Sequence, residues 1–395
     1  MDSFYKLFPL NAELDPRLLS QARVLEYHQL RRLPQANAIT RLILQQYDKG
    51  TCRATDDERF EVYLIAAYAG DDALMQEIAA RVDFLPDAPG LREYVQALTD
   101  FGHGSTGWEQ QLSACKTNFR KVKGPASTEA IPEYVEHASS FFDPQSYSYE
   151  LERSYREASD LEIGQASNET LVLVSCDVEY FIIWSQYFCK ILRRRNSNRV
   201  LFMVVIDSDS DRDRVSEQAL DLADFGSVEV EIHSISGKIG VAASVFRFLV
   251  ALRLMLEYRD NVMILDIDSC PAFRVDCLVS EMDSDLGFTV DEGSFVPWAR
   301  LNAGLCAFKY GVDACTFLAV LRSYIEFALR DGADWTVDQA SLFVAWNWWT
   351  QRSGSTRIHD FSGDFSSRRQ TATPRRLQRR KIAAKAVNAP TSGIS

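Results

Sequence analysis

The chain has no Cys-x-x-Cys pair, only five histidines, and no run near the roughly 20 apolar residues that a membrane span requires. Without paired spacing, the eight cysteines (52, 115, 176, 189, 270, 277, 306 and 315) read as free buried thiols rather than a disulfide framework. The opening MDSFYKLFPLNAELD lacks the basic start and apolar middle of a signal peptide, so a cytoplasmic protein is expected. The sequon at Asn168 is then an accident of composition. Beyond Ser367 acid is missing altogether, with eight Lys or Arg and no Asp or Glu. That leaves 35 basic against 55 acidic residues in the remainder, a body of charge −20. Such a body is a poor nucleic-acid surface, because phosphate contacts need basic side chains, and only the tail supplies them. It would accept a divalent cation readily.

What is present is enough apolar residue, 46% of 395, for more than one core. Residues 1–105 read as an all-α helical domain. DPRLLSQARVLEYHQL offers Asp15 as an N-cap and Pro16 at the first helical position. PQANAITRLILQQYDKG stops at Gly50. DDERFEVYLIAAYAGD sets Phe60, Leu64, Ala67 and Tyr68 on one face, and DALMQEIAARVDFLPD breaks at Pro86. No clean 34-residue period emerges, so a bundle is favoured over a helical-repeat array. Residues 106–167 read as a helical bridge carrying IPEYVEHASSFF and YELERSYREASDLE. Residues 367–395 read as a basic, disordered tail.

Residues 168–366 have a different texture. TLVLVSCD, RVLFMVVID, SVEVEIHSI, VMILDID, LGFTVDE and LNAGLCAFK read as strands, separated by helices such as AASVFRFLVALRLMLEY. Continuously apolar strands alternating with helices predict an α/β fold, Rossmann-like, with a mostly parallel sheet covered on both faces. Ligands of such sheets bind at the carboxyl ends of strands, where Asp177, Asp207, Asp266 and Asp268 fall. In VMILDID, Asp266 and Asp268 would share one face of an extended chain and repel each other. A Mg²⁺ or Mn²⁺ ion, which prefers oxygen ligands, resolves that repulsion. The competing reading is a pair of carboxylates capping backbone amides.

Seven motifs in order resemble the nucleotide-sugar glycosyltransferases of the GT-A fold, and within them the family 8 retaining enzymes of the galactosyltransferase and glycogenin type. They are VLVSCDVEY, SVFRFLVALRL, VMILDID, LGFTVDE, RLNAGLCAFK, WTVDQASLFVAW and IHDFSGDF. The resemblance runs from Leu171 to Ser367. It implies a metal-dependent transfer of a sugar from a nucleotide-diphosphate donor, a UDP-sugar by preference, with retention at the anomeric carbon. The acceptor, whether protein, glycan or lipid-linked sugar, is not read. Carried across position by position, Ser175, Asp177, Glu179 and Tyr180 would line the nucleoside pocket. Arg247, Asp266, Asp291, Asn302, Ala303 and Gly304 would meet the donor sugar or its phosphates. Asp266, Asp268 and His359 would bind Mn²⁺ or Mg²⁺, and Asp338 and Gln339 would lie beneath the reacting carbon as catalytic residues. For Asp338 alone, a helix N-cap is the structural alternative.

The sequence departs from the pattern in three places. Glu179 stands where Asn is commoner, Phe248 where Leu is usual, and GDFSSRR where the family carries Lys-Pro-Trp. The cluster WNWW (Trp346, Trp348, Trp349) offers either helix packing or a sugar-stacking platform. Two other functions compete. Nucleotidyl transfer would want a Gly-rich loop after the first strand, and SCDVEYF has no Gly. A non-catalytic nucleotide-sugar-binding or scaffold protein would have no need of Asp266, Asp268, His359, Asp338 and Gln339 together.

Overall fold

The computed structural model describes residues 63–64, 66–68, 70–79, 90–123, 133–167, 169–235, 237–269, 273–334, 336–355 and 357–362. The helices expected before residue 63, the break at Pro86, the loop from Gly363 and the basic tail lie outside the described residues. The chain divides into two compact units. One comprises residues 1–143 and 291–300, the other residues 144–290 and 301–395.

The first unit is helical: α1 (Asp72–Ala79), α2 (Leu91–Gly102), α3 (Trp108–Lys123) and α4 (Glu133–Ser139). Buried Leu91, Tyr94, Val95 and Leu98 of α2 follow the i, i+3, i+4, i+7 spacing of one helical face. The excursion 291–300 adds a short 3₁₀ turn, Pro297–Ala299, to this unit. Its Trp298 is fully buried.

The second unit opens with α5 (Pro144–Ser159) and continues as β1 (Thr170–Asp177), α6 (Val178–Leu192), β2 (Val200–Ile206), α7 (Asp209–Leu222) and β3 (Val228–Ser234). Then follow α8 (Ile239–Tyr258), β4 (Asn261–Leu265), α9 (Val275–Glu281), β5 (Leu286–Val290), β6 (Leu301–Phe308), α10 (Val312–Arg330), α11 (Val337–Ser353) and β7 (His359–Asp360). Seven strands form one sheet in the order β3-β2-β1-β4-β6-β5-β7. β1 to β4 pair in parallel, β6 runs antiparallel to both neighbours, and β7 pairs in parallel with β5. The uninterrupted apolar runs VLFMVVI and LVLVSC are central and buried on both faces, whereas the edge strand β3 alternates and exposes Glu229.

Along β4 and into the following turn, Met263, Leu265 and Ile267 face a core shared with α6, α7 and α9. Ile264 and Asp266 alternate to the opposite face. On that side α8 packs against β1, β2 and β4, and beside α10 and α11. By length and composition α8 is long and apolar enough to cross a membrane, although Arg247, Arg253 and Glu257 interrupt its apolar residues. Its apolar residues Val245, Phe248, Ala251 and Leu254 are buried in the unit, and one of its arginines, Arg247, is buried with them.

Candidate active site

β4 ends at Leu265, so the strand expected to run through both aspartates is shorter than VMILDID suggests. The Asp266 amide donates to the Gly304 carbonyl at 2.9 Å, and the Ser269 amide closes a turn onto the Asp266 carbonyl at 3.0 Å. Asp268 therefore stands in a turn, and the shared face of an extended chain does not apply to it.

Asp266 is met from α8 by Arg247. One guanidinium nitrogen donates to Asp266 Oδ1, and another lies 3.5 Å from Asp338 Oδ2. Arg247 is only 2% exposed, and its Nε has no partner. Burial works against its charge, but Asp266 and Asp338 outweigh that and hold the guanidinium protonated. Asp338 is pushed up from the ordinary carboxylate value, first by burial and also by Asp266, with Arg247 opposing. It is not the N-cap of α11. That position belongs to Thr336, whose φ of 67° puts a β-branched residue in the left-handed region. Asp338 sits in the first helical turn, and its Oδ1 accepts from the Gln339 amide at 2.9 Å. The Gln339 side chain is half-buried beside it.

The start of β6 completes this group. Asn302 is exposed, and its Oδ1 accepts from the Gly304 amide at 2.7 Å. A Cβ on Gly304 would collide with Asp266 Oδ2 and stand 3.0 Å from Asn302 Oδ1, so only glycine lets these groups meet. Ala303 between them is buried. At the end of β1, the Ser175 hydroxyl is buried with no partner. Asp177 caps α6 by accepting from the Tyr180 amide at 2.8 Å. Burial pushes its carboxyl up, the hydrogen bond from Tyr180 opposes, and Glu179 adds to the rise.

Other expected residues stand elsewhere. Glu179 pairs with Arg214 of α7 at 2.6 Å, a partner 35 positions away that no local pattern announces. Tyr180 packs against the core beneath α6. Asp291 belongs to the helical unit, where its amide donates to the Arg300 carbonyl at 2.9 Å. His359 Nδ1 lies 3.0 Å from Asp283 Oδ1, and that bond draws the Asp283 carboxyl below its usual value. Among the described residues, no three His, Cys, Asp or Glu side chains are grouped to hold a metal ion. The oxygen donors of Asp266 and Asp268 nevertheless suit a hard divalent cation, whose other ligands would be phosphate and water. Asp266 Oδ2 has no hydrogen-bond donor among the described residues, which leaves it available.

Within the tryptophan cluster, Trp346 is half-buried, its ring 6.2 Å from that of Phe343. Trp349 is buried and donates to Thr316 at 3.1 Å, and Trp348 meets the Tyr155 ring edge-on at 6.0 Å. None of the candidate residues lines the open groove of about 450 Å³ between α5, α8 and α10, which carries Leu252, Leu256, Arg322 and Arg330.

No family model and no curated protein sequence matches this chain. Among solved structures, the chain aligns with the bifunctional glycosyltransferase WbbM in its apo form, at 12% identity and a TM-score of 0.30. The alignment covers 82% of this chain and 66% of the other. A likeness at that score carries no argument, so any functional reading stands on the residues themselves.

Proposed function

We propose that the chain is a glycosyltransferase that moves a sugar from a nucleotide-diphosphate donor, a UDP-sugar by preference, with retention at the anomeric carbon. The observation that carries this reading is the bridge made by Arg247. One buried guanidinium joins Asp266 at the end of β4 to Asp338 in the first turn of α11, beside Asn302 and Gly304. Four separate sequence motifs thus converge on one face of the sheet, at strand ends where such folds bind ligands. Asp266 and Asp268 would hold Mn²⁺ or Mg²⁺. That ion would offset the charge developing on the departing diphosphate. Arg247 holds Asp338 and Asp266 in fixed relation. Gly304 admits the donor sugar close to backbone, and Asn302 offers an exposed amide to its hydroxyls. Asp338 would support positive charge at the reacting carbon, with the helix N-terminus and the Arg247 guanidinium favouring its ionised form against burial.

Calorimetry with UDP in Mn²⁺ and in EDTA, followed by mass spectrometry of products from a panel of UDP- and GDP-sugars, tests this reading. UDP affinity should fall on chelation and in Asp268→Ala. Unchanged affinity would remove the metal from the reading. Absence of binding and of turnover with every donor would remove the transferase.

A further inference from the structure

The two neighbours of β6 pair with it differently. Against β4 the pairing is continuous: Ile264 faces Cys306, Leu265 faces Leu305, and the Asp266 amide donates to the Gly304 carbonyl at 2.9 Å. Against β5 the register jumps. Phe288 pairs with Cys306, but the next residue, Thr289, pairs with Asn302. Ala303, Gly304 and Leu305 therefore have no partner on β5. They form a bulge, with Asn302 at one edge and Cys306 at the other.

A bulge breaks the ladder, so its shape depends on other bonds. Here the side chains at the two edges supply them. From one edge, Asn302 Oδ1 accepts from the Gly304 amide at 2.7 Å. From the other, the Cys306 thiol donates to the Asn302 carbonyl at 3.5 Å, with the Ala303 carbonyl at 3.9 Å. Cys306 is fully buried. Burial pushes its thiol above the ordinary value; Arg247 opposes, and Asp266 and Asp338 add to the rise, so the group remains an S–H donor. A buried cysteine commonly acts as a small hydrophobe. This one also has backbone acceptors within reach. With Oδ1 held by the Gly304 amide, the end of Asn302 that no described residue engages is Nδ2, a donor.

We propose that Cys306 is a positioning residue for Asn302: its thiol, donating to the Asn302 and Ala303 carbonyls, closes the bulge of β6 and holds the Asn302 amide group in one orientation. That Asn302 then meets a donor sugar rests on the glycosyltransferase reading; that the thiol holds the bulge does not.

Ser and Ala are nearly equal in size, so Cys306→Ser and Cys306→Ala lose the same volume, and only Ser keeps a donor. Both full-length variants are compared with the wild type by hydrogen exchange and calorimetry. The Gly304 amide, held by Asn302 Oδ1, reports the orientation of that side chain directly. In Cys306→Ala the Gly304 and Leu305 amides should exchange about three- to tenfold faster, the range of one net hydrogen bond, while β1 and β2 keep their protection. Cys306→Ser should stay within about twofold of wild type at those amides. Equal acceleration in the two variants would make Cys306 a packing residue and overturn the proposal. So would unchanged exchange in Cys306→Ala, or acceleration spread over β1 and β2. If Cys306→Ala does not fold, Cys306→Ser decides alone: wild-type protection supports the donor, and acceleration at the bulge overturns it. In calorimetry, Cys306→Ala should bind UDP as the wild type does, while the advantage of a UDP-sugar over UDP shrinks about three- to tenfold, and Cys306→Ser should restore it. A loosened bulge with that advantage intact would break the link to Asn302 and overturn the positioning role. A wild-type chain that binds neither UDP nor a UDP-sugar would sink the transferase reading and leave exchange at the bulge to decide.

Discussion

Arg247 answers to two carboxylates, Asp266 and Asp338. Asp338→Asn and Gln339→Ala should each lower turnover at least about tenfold, roughly 1.4 kcal/mol of transition-state stabilisation, with donor affinity little changed. A purely structural Asp338 would instead cost about 1 kcal/mol of stability through its hydrogen bonds to the Gln339 amide and Arg247, and leave the folded fraction at full rate. Melting temperature and single-turnover rate, measured together, separate the two outcomes. The cysteines give a second prediction at this scale. Burial pushes the thiols of Cys115 and Cys189 up to about 12, with Glu93 adding at the first and Arg193 opposing at the second. A folded value above the unfolded one stabilises the native state fully below the ordinary thiol value of about 8.5. That contribution is lost as pH climbs toward about 12. At pH 8 a thiol reagent should therefore modify half-buried Cys277 and spare Cys115, Cys189 and Cys315 until denaturant is added. Rapid labelling of Cys189 in the native protein would contradict its burial.

At the scale of elements, much was written in the apolar runs. TLVLVSCD, with its unbroken LVLV, and VLFMVVI became central strands because their apolar runs are continuous, and the alternation of VEVEIHS marked an edge. The resemblance of WTVDQASLF to a family motif singled out Asp338 as catalytic, and in the fold it stands 3.5 Å from Arg247. What was not legible depends on partners far along the chain. VMILDID reads as seven strand residues, yet the ladder stops at Leu265, because the antiparallel β6 ends its pairing there and Gly304 takes the next amide. Strand direction leaves no trace in hydrophobicity, so β6 was indistinguishable from its parallel neighbours. His359 and Glu179 met Asp283 and Arg214, partners that spacing cannot reveal. Gly304 tests the packing of this junction. Gly304→Ala should cost about 1–3 kcal/mol through overpacking against Asp266 and Asn302. Metal-dependent UDP affinity should fall with it, because Asp266 must move. Wild-type melting and wild-type affinity together would mean that the junction relaxes without disturbing the carboxylate.

For the whole molecule, charge divides the chain as sharply as structure does. The remainder is acidic and the stretch beyond Ser367 carries no acid; from composition alone that stretch is expected not to pack. Truncation after Ser367 should leave the melting temperature unchanged in scanning calorimetry; a fall of several degrees would show that the tail packs. Trp298, buried in the helical unit against Tyr68, His137 and Phe141, has its own consequence for how the chain is made. The helices up to Asp143 leave the ribosome first, but Trp298 lies 155 positions further on. At about 5–20 residues per second, that separation is a delay of about 8–30 s. Throughout it, Tyr68, His137 and Phe141 have no indole ring to cover them. The unit translated first is the one completed late, and a nascent chain stalled before Arg300 exposes an apolar gap that chaperones would bind.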